Sequence, residues 1–179
     1  MKSILEKLKG GDFRSIGKAN EVTTSVLKNP KLFKEIIQGI TDTNPLIRMR
    51  AADVAEKVSK QHPEYLQPFK RKLINEVTKI AQQEVRWHTA QMFSYLSLTP
   101  KERSRVAKVL LSWIENEKSN IVRVMSLQTL ADFTKQDKKI KNQVMPLLQE
   151  YIMSGSPSLR SRSARLLKEF ATKKQNHKL

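Results

Sequence analysis

A helix-forming pattern recurs four times along this chain at nearly constant spacing. The copies are IRMRAADVAEKV (47–58), VRWHTAQMFSYL (85–96), VRVMSLQTLADF (122–133) and LRSRSARLLKEF (159–170). In each copy an apolar residue precedes an arginine, and further apolar residues follow at the spacing of one helix face. The arginines, Arg48, Arg86, Arg123 and Arg160, are 38, 37 and 37 residues apart. Because one such helix cannot bury its apolar face alone, the register predicts a stack of repeated units.

A second amphipathic segment precedes each copy, so the predicted unit is a helix, a turn and a helix. Asn44-Pro45 and Ser156-Pro157 are typical helix starts, and Thr99 with Glu102 forms a capping-box pattern. A degenerate fifth copy lies around Phe13-Arg14. We expect helix pairs at 2–9 with 12–28, 31–42 with 45–60, 64–81 with 84–98, 100–116 with 120–134, and 138–153 with 157–171. The chain is therefore expected to be all-α, with one domain over 1–171 (repeats near 1–29, 30–62, 63–99, 100–135 and 136–171) and a basic tail over 172–179.

The pattern resembles the HEAT repeat over essentially the whole folded chain. HEAT repeats carry an acidic residue in the turn, an arginine six residues later, and often a proline eight residues before the acid. The pairs Asp42 with Arg48 and Glu117 with Arg123 match, and Pro146 fits the proline position of the last repeat. Ile80 and Ser154 stand where the acids before Arg86 and Arg160 would be. The resemblance implies a right-handed α-α superhelix, a HEAT-repeat solenoid of about five helix pairs.

The resemblance also implies a structural role for the phased arginines, which in HEAT proteins pair with turn acids of their own or the adjacent repeat. Such a ladder would contain Asp42, Arg48, Arg86, Glu117, Arg123 and Arg160. A guanidinium fork suits it because it can satisfy a carboxylate and turn carbonyls together. Arg86 and Arg160 lack a local acid, so for these two a ladder role and a ligand-binding role both remain open.

The charge of the chain points to an acidic partner. The 179 residues include 34 Lys and Arg against 17 Asp and Glu, a net charge of +17. Such an excess favours a polyanion, with nucleic acid preferred over an acidic protein. The absence of cysteine excludes disulfides, thiolate metal sites and cysteine nucleophiles. We find no signal-peptide core and no membrane-length apolar run, and so expect an intracellular, cytoplasmic protein, monomeric by default, with no membrane partner.

Two groups of basic residues are candidate binding surfaces. The first lies on the second helices, which line the concave surface of HEAT solenoids. Arg50, His88 and Arg162 stand two residues after a phased arginine, and together with Arg165 they make up this concave basic track. The second lies near the starts of the first helices and forms a basic edge: Lys70, Arg71, Lys72, Lys101, Arg103, Arg105, Lys108, Lys138, Lys139 and Lys141. Helix N-termini and lysines both attract phosphates. For both groups, ordinary solvated surface is the alternative.

The sequence offers little for catalysis. Some HEAT-like DNA glycosylases that excise alkylated bases combine tryptophans with an aspartate, which makes Trp87 a possible aromatic contact, but Gln91 stands one turn after it where an aspartate would be needed. Trp113 is expected to be core, and Asp53 and Glu56 to be solvated counter-charges. The three histidines are scattered, so no metal site is predicted, and no cofactor motif is present.

These observations favour a non-catalytic HEAT-repeat binding module whose basic surface engages nucleic acid. A protein–protein interaction scaffold is the first alternative, and a HEAT-like glycosylase is the second. Because fold does not fix function, the resemblance predicts the architecture far better than the activity.

Overall fold

The computed structural model describes residues 3–176, with side chains through residue 172. All regular structure in this range is helical, which confirms the predicted all-α class. The chain forms two compact units, residues 1–97 and 98–179. The division falls between the third and fourth predicted repeats, inside what the sequence predicts as one domain over 1–171. No helix among the described residues has the length and apolar character needed to cross a membrane.

The first unit is built around one long helix. Its helices are α1 (Ala19–Lys28), α2 (Phe33–Gly39), α3 (Pro45–Gln61), α4 (Pro63–Leu66), α5 (Lys70–Asn75) and α6 (Gln83–Ser94), with 3-10 turns at Ile4–Leu8, Pro30–Leu32, Gln67–Phe69 and Val77–Lys79. Helix α3 begins as predicted, because the Asn44 side chain accepts the N–H of Leu46 (2.9 Å) and Pro45 takes the first helical position. It packs against α1, α2 and α6.

The start of the first unit differs from the predicted helices 2–9 and 12–28. Residues 4–8 form a 3-10 helix, the next helix begins only at Ala19, and residues 1–2 lie outside the described range. Gly10, Gly11 and Gly17 have φ values of 79°, 76° and 53°. Glycine adopts this left-handed region without steric cost. The glycines therefore support a loop where the apolar spacing alone predicted a helix.

The predicted helix 64–81 is also wrong, because the segment is divided into two short α-helices and two 3-10 turns. Pro68 lies inside the first of these turns. Proline lacks an N–H and its ring clashes with the preceding helical turn, so it removes a helical hydrogen bond and favours a break in the helix at this point. Leu66, Leu73, Ile74 and Val77 nevertheless remain buried. The segment thus keeps its packing role without its regularity.

The second unit follows the prediction closely. Its helices are α7 (Pro100–Asn116), α8 (Asn120–Phe133), α9 (Lys138–Ser154) and α10 (Pro157–Asn176), and α8 packs against the other three. The capping box is present: Thr99 Oγ1 accepts the N–H of Glu102, and Glu102 Oε2 accepts the N–H of Thr99 (3.3 and 2.9 Å). Trp113 is core, 5% exposed. The predicted tail is helical through residue 176, and residues 177–179 lie outside the described range.

Candidate functional site

Three of the four phased arginines, Arg48, Arg86 and Arg123, bind backbone carbonyls. Arg48 Nη1 donates to the carbonyls of Asp42 (2.9 Å) and Thr43 (3.0 Å), and its Nε donates to Gln82 Oε1 (2.9 Å). The Asp42 carboxylate instead accepts the N–H of Asn44 (2.8 Å). The predicted Arg48–Asp42 ion pair is therefore wrong, although Arg48 does join its own turn to the next repeat. Such contacts satisfy carbonyls that the end of a helix leaves without partners.

The other phased arginines divide into two kinds. Arg86 Nε donates to Ile80 O (2.9 Å), and burial lowers the pKa of its guanidinium. Arg123 Nε donates to Ile114 O (2.8 Å) while its guanidinium lies 6.0 Å from the Tyr151 ring. These two repeat the carbonyl contact seen at Arg48. Arg160 differs, because its side chain is exposed.

Arg50 is an internal anchor, which contradicts its place in the predicted basic track. It is 1% exposed. Its guanidinium donates to four carbonyls, those of Leu8 (2.8 Å), Gly10 (2.6 Å), Asp12 (3.2 Å) and Ser15 (3.0 and 3.2 Å). A Cβ on Gly17 would lie 2.8 Å from Arg50 Cζ. The loop is thus wrapped tightly around this side chain, which is not available to a phosphate.

The remaining members of the track do not form an exposed cationic row. Burial lowers the pKa of His88 to about 4, so the ring is neutral at pH 7. Arg162 Nη1 donates to Gln128 Oε1 (2.6 Å), and Arg165 Nη2 donates to the same oxygen (3.2 Å). Arg165 also lies 3.6 Å from Glu169. Of the four predicted track residues, the two arginines of α10 are the accessible cations, and both already have protein partners.

The second helices of the first unit carry acids that the sequence placed in solvent. Asp53 and Glu56 are both 8% exposed, so their assignment as solvated counter-charges is wrong. Asp53 pairs with Lys57 (2.7 Å), and Glu56 accepts the hydroxyl of Tyr95 (2.7 Å). Buried carboxylates need such partners. The sequence predicted an exposed basic surface here, whereas these residues place buried carboxylates between α3 and the end of α6.

Trp87 lines a small cleft of about 260 Å³ in the first unit, together with Phe13, His88, Asp53 and Glu84. The sequence predicted no aspartate near Trp87, and the structure brings Asp53 into the same cleft from α3. The Asp53 carboxylate is held by Lys57 and lies 3.8 Å from His88 Nε2. No three His, Asp or Glu side chains within the described residues are arranged to hold a metal ion. The aromatic contact proposed for Trp87 stays a prediction.

The basic edge of the second unit surrounds a groove. A cavity of about 500 Å³ lies between α7 and the first turns of α9, and the residues that line it include Pro100, Arg103, Ser104, Ala107, Lys108, Leu111, Asp137, Lys138, Lys139 and Gln143. The α7 residues in this set recur every three or four positions and so occupy one helix face. We call this cavity the α7–α9 groove. The sequence predicted its lysines but gave no sign that they share a cavity.

We use the name rim for six exposed cations of α7 and the start of α9, of which Lys108, Lys138 and Lys139 line the α7–α9 groove and the other three lie on the same helices outside its lining. The six are Lys101, Arg105, Lys108, Lys138, Lys139 and Lys141, and each is exposed. Within the described residues, none of their side chains has a hydrogen bond or an ion pair. Residues 98–179 as a whole contain 17 Lys and Arg against 7 Asp and Glu. The rim is thus a concentration of positive charge that the protein itself does not neutralise.

Arg103 belongs to the floor of the groove, which corrects its assignment to the exposed edge. It is 8% exposed. Its Nη2 donates to Leu98 O (3.0 Å) and Gln136 Oε1 (2.7 Å), and its Nη1 lies 3.9 Å from Asp137 Oδ2. Arg103 therefore ties α7 to the start of α9. It positions the rim lysines and is not itself free to bind an anion.

The helix N-termini at the groove are already occupied by side chains. Asp137 Oδ1 accepts the N–H groups of Lys139 (3.0 Å) and Ile140 (3.2 Å), and the capping box closes the start of α7. The expectation that a phosphate would dock on these N–H groups is therefore wrong. Any anion attracted to the groove is attracted by the rim side chains.

The three basic residues of the first unit's edge are less uniform. Lys72 pairs with Glu76 (2.9 Å), and Lys70 is half-buried with a partner of its own. Arg71 is exposed.

Sequence reasoning also missed three glutamines, Gln82, Gln128 and Gln136. The side-chain oxygen of each accepts a hydrogen bond from an arginine that is distant in sequence. A glutamine amide carries no charge signal, and so a search for ion pairs passes over it.

Comparison with known proteins gives a family and nothing finer. A family profile described as HEAT repeat domain matches residues 7–170. No curated protein and no solved structure matches the chain. The matched range includes the phased arginines, both units and the α7–α9 groove. The chain belongs to the HEAT-repeat family.

Proposed function

We propose that this HEAT-repeat interaction module binds the phosphate backbone of nucleic acid through the α7–α9 groove. The observation that carries the proposal is the rim itself: six exposed cations on two helices, none with a protein partner among the described residues. The mechanism is neutralisation of phosphates with release of counterions, without direct reading of base edges. Catalysis is not part of the proposal.

The rim is unfavourable for the isolated protein, which supports a ligand-binding role. Lys101 and Arg105, and likewise Arg105 and Lys108, are like charges one helical turn apart. Such pairs each destabilise a helix by about 0.2–0.5 kcal/mol. Lys138 and Lys139 lie in the first turn of α9, where the helix macrodipole disfavours cations. A polyanion removes both penalties when it binds.

The spacing of the rim suits an extended strand. Lys101 and Lys108 are seven residues apart on α7, which corresponds to about 10 Å at 1.5 Å per residue. Phosphates advance by about 3.4 Å per nucleotide along the axis of one strand. The α7 cations alone therefore span about three phosphates. The lysines of α9 extend the contact across the groove.

The test compares two triple variants of equal net charge. Lys108, Lys138 and Lys139 are changed to Gln in one variant, and the exposed Lys60, Lys79 and Lys118 in the other. Both lose three positive charges, so any effect of overall charge is the same. Binding of a short fluorescein-labelled DNA duplex is measured by anisotropy over a range of NaCl concentrations. We expect the rim variant alone to lose most of its affinity.

The salt dependence makes the test quantitative. If all six rim cations contact phosphates, log Kd should change with log salt with a slope of about 5, at 0.9 per contact. The rim variant should lower that slope by about 2.7, and the control variant should leave it unchanged. Equal losses in the two variants would refute the groove as the site. A poly-glutamate chain that competes as well as DNA would instead favour an acidic protein partner.

A further inference from the structure

The α7–α9 groove has its own set of polar side chains, apart from the rim cations that lie outside it. Lys108 from α7 and Lys138 and Lys139 from α9 line the cavity. Within the described residues these three lysines have no hydrogen bond or ion pair. Ser104 and Gln143 add an exposed hydroxyl and an exposed amide to the same lining. The cavity therefore offers cations from two helices together with neutral hydrogen-bond donors.

The carboxylate in the lining does not use up these cations. Asp137 Oδ1 accepts the N–H groups of Lys139 and Ile140, and its Oδ2 lies 3.9 Å from Arg103 Nη1. The opposite charges of Asp137 and Arg103 offset each other. The charge that remains in the lining is that of the three lysines, +3. A compact polyanion that enters the groove therefore finds cations that have no carboxylate partner.

The size and the apolar part of the cavity suit a small molecule. Its volume of about 500 Å³ lies within the range of roughly 300–1,000 Å³ that is usual for small-molecule sites. The buried Ala107 and Ile140 and the half-buried Leu111 give it an apolar wall beside the lysines. A diphosphate group fills only part of such a volume. Space remains for a ring or a sugar against the apolar wall.

We propose that the α7–α9 groove is a site for a compact compound that carries a diphosphate group, either inorganic pyrophosphate or a nucleoside diphosphate. The ammonium groups of Lys108, Lys138 and Lys139 bind the phosphoryl oxygens as point charges, and the side chains of Ser104 and Gln143 donate hydrogen bonds to them. This ligand goes beyond the proposed function. Because nucleic acid would use the same three lysines, the compact compound competes with it for the groove.

The test compares two triple variants that lose the same charge from the same two helices. The groove variant replaces with Gln the three lysines that line the cavity: Lys108, Lys138 and Lys139. The outer variant replaces with Gln the three rim cations that lie outside the lining: Lys101, Arg105 and Lys141. Inorganic pyrophosphate, ADP and adenosine are each titrated into the full-length proteins by calorimetry at constant ionic strength. Circular dichroism checks that both variants remain folded.

We expect pyrophosphate or ADP to bind the wild-type protein and adenosine not to bind, and the comparison of the first two identifies the source of the diphosphate. The groove variant should lose about ten- to hundredfold in this affinity, because three ammonium contacts screened by water and salt are removed. The outer variant should lose far less, although both variants weaken duplex binding.

Three results would overturn the inference. They are no binding of either diphosphate at about 1 mM, equal losses in the two variants, or binding of adenosine as tight as that of ADP. Duplex binding is measured separately on the same proteins. A wild-type protein that binds the duplex and neither diphosphate leaves the proposed function standing without this site, and one that binds a diphosphate and no duplex leaves the site standing without the proposed function.

Discussion

Replacing Arg50 with methionine tests whether this residue is an internal anchor or a ligand-binding cation. Methionine has a similar length and no donors, so it fills part of the space and removes every hydrogen bond to the loop. Arg50 makes five hydrogen bonds to the carbonyls of Leu8, Gly10, Asp12 and Ser15. Only the bond to Leu8 O is fully buried. The other carbonyls lie in an exposed loop, where water can replace the guanidinium.

The expected loss of folding free energy follows from the difference between the one buried hydrogen bond and the partly solvated ones. Hydrogen bonds to a charged group contribute about 1.5–3 kcal/mol each, but carbonyls that regain water recover part of this. Leaving the buried Leu8 carbonyl without a donor costs about 1–3 kcal/mol, and the loss of the partly solvated bonds adds to this, so we expect Arg50→Met to cost about 3–5 kcal/mol in total. A loss of 1 kcal/mol lowers Tm by about 2–4 °C in a chain of this size, so Tm should fall by about 6–20 °C.

The assay combines thermal unfolding, followed by circular dichroism, with hydrogen exchange of residues 9–17. Arg50→Lys should lose an intermediate amount, because an ammonium keeps the charge but lacks the planar fork with five donors. Arg165→Met is the control, since its side chain is 58% exposed, and a surface substitution of this kind usually changes stability by less than about 0.5 kcal/mol. A Tm within about 2 °C of wild type, with unchanged loop exchange, would refute the anchor. A loss of duplex binding at unchanged stability would instead restore Arg50 to a binding surface.

Three further changes test the buried polar groups. Arg103→Met should lower the free energy of unfolding by about 2–4 kcal/mol in urea titrations, because it leaves Gln136 and the Leu98 carbonyl without their donor; a loss below about 0.5 kcal/mol would contradict the floor assignment. Tyr95→Phe should cost about 1–3 kcal/mol, since it removes the hydroxyl that Glu56 accepts, and an unchanged urea midpoint would contradict it. Burial lowers the pKa of His88 from 6.5 to about 4, so the stability linked to its neutral ring is complete above about pH 6.5 and is lost as the pH falls towards 4. This loss should reach at most about 3 kcal/mol and be absent from His88→Asn; identical pH profiles would refute it.

The sequence predicted the second unit well because its signals are local. The capping box of Thr99 with Glu102 starts α7, Pro157 after Ser156 starts α10, and the helices between them keep apolar residues at helical spacing. Helix caps and periodicity act within a few residues, so they can be read without a structure. In the first unit the same periodicity led us to predict a helix over 12–28, although Gly17 lies within it and Gly10 and Gly11 lie just before it. Giving those glycines more weight would have predicted the loop, though not what fills it.

The candidate site was less accessible from sequence because it depends on distant pairs. Arg50 and the carbonyl of Leu8 are 42 residues apart in sequence, and Arg103 and Gln136 are 33 apart. Arg50 and Arg103 were predicted to be exposed because nothing in the sequence next to them distinguishes a buried arginine from an exposed one. His88 was counted as a cation by residue type, whereas burial determines its charge. The recurrence of basic residues at helix starts was visible, but the cavity that they share was not.

The buried cations are arginines and the exposed rim cations are mostly lysines, and this difference has a chemical reason. The cations buried among the described residues, Arg50 and Arg103, are both arginines that bind several acceptors. Five of the six rim cations are lysines. A guanidinium is weakly hydrated and can satisfy several carbonyls at once, so it can be buried; an ammonium is a hydrated point charge that suits contact with phosphate in solvent. The net charge of +17 therefore overstates what is available to a partner. In a repeat protein of this kind, arginines in phase with the repeat should be counted first as structure, and unpaired lysines at helix starts as candidates for binding.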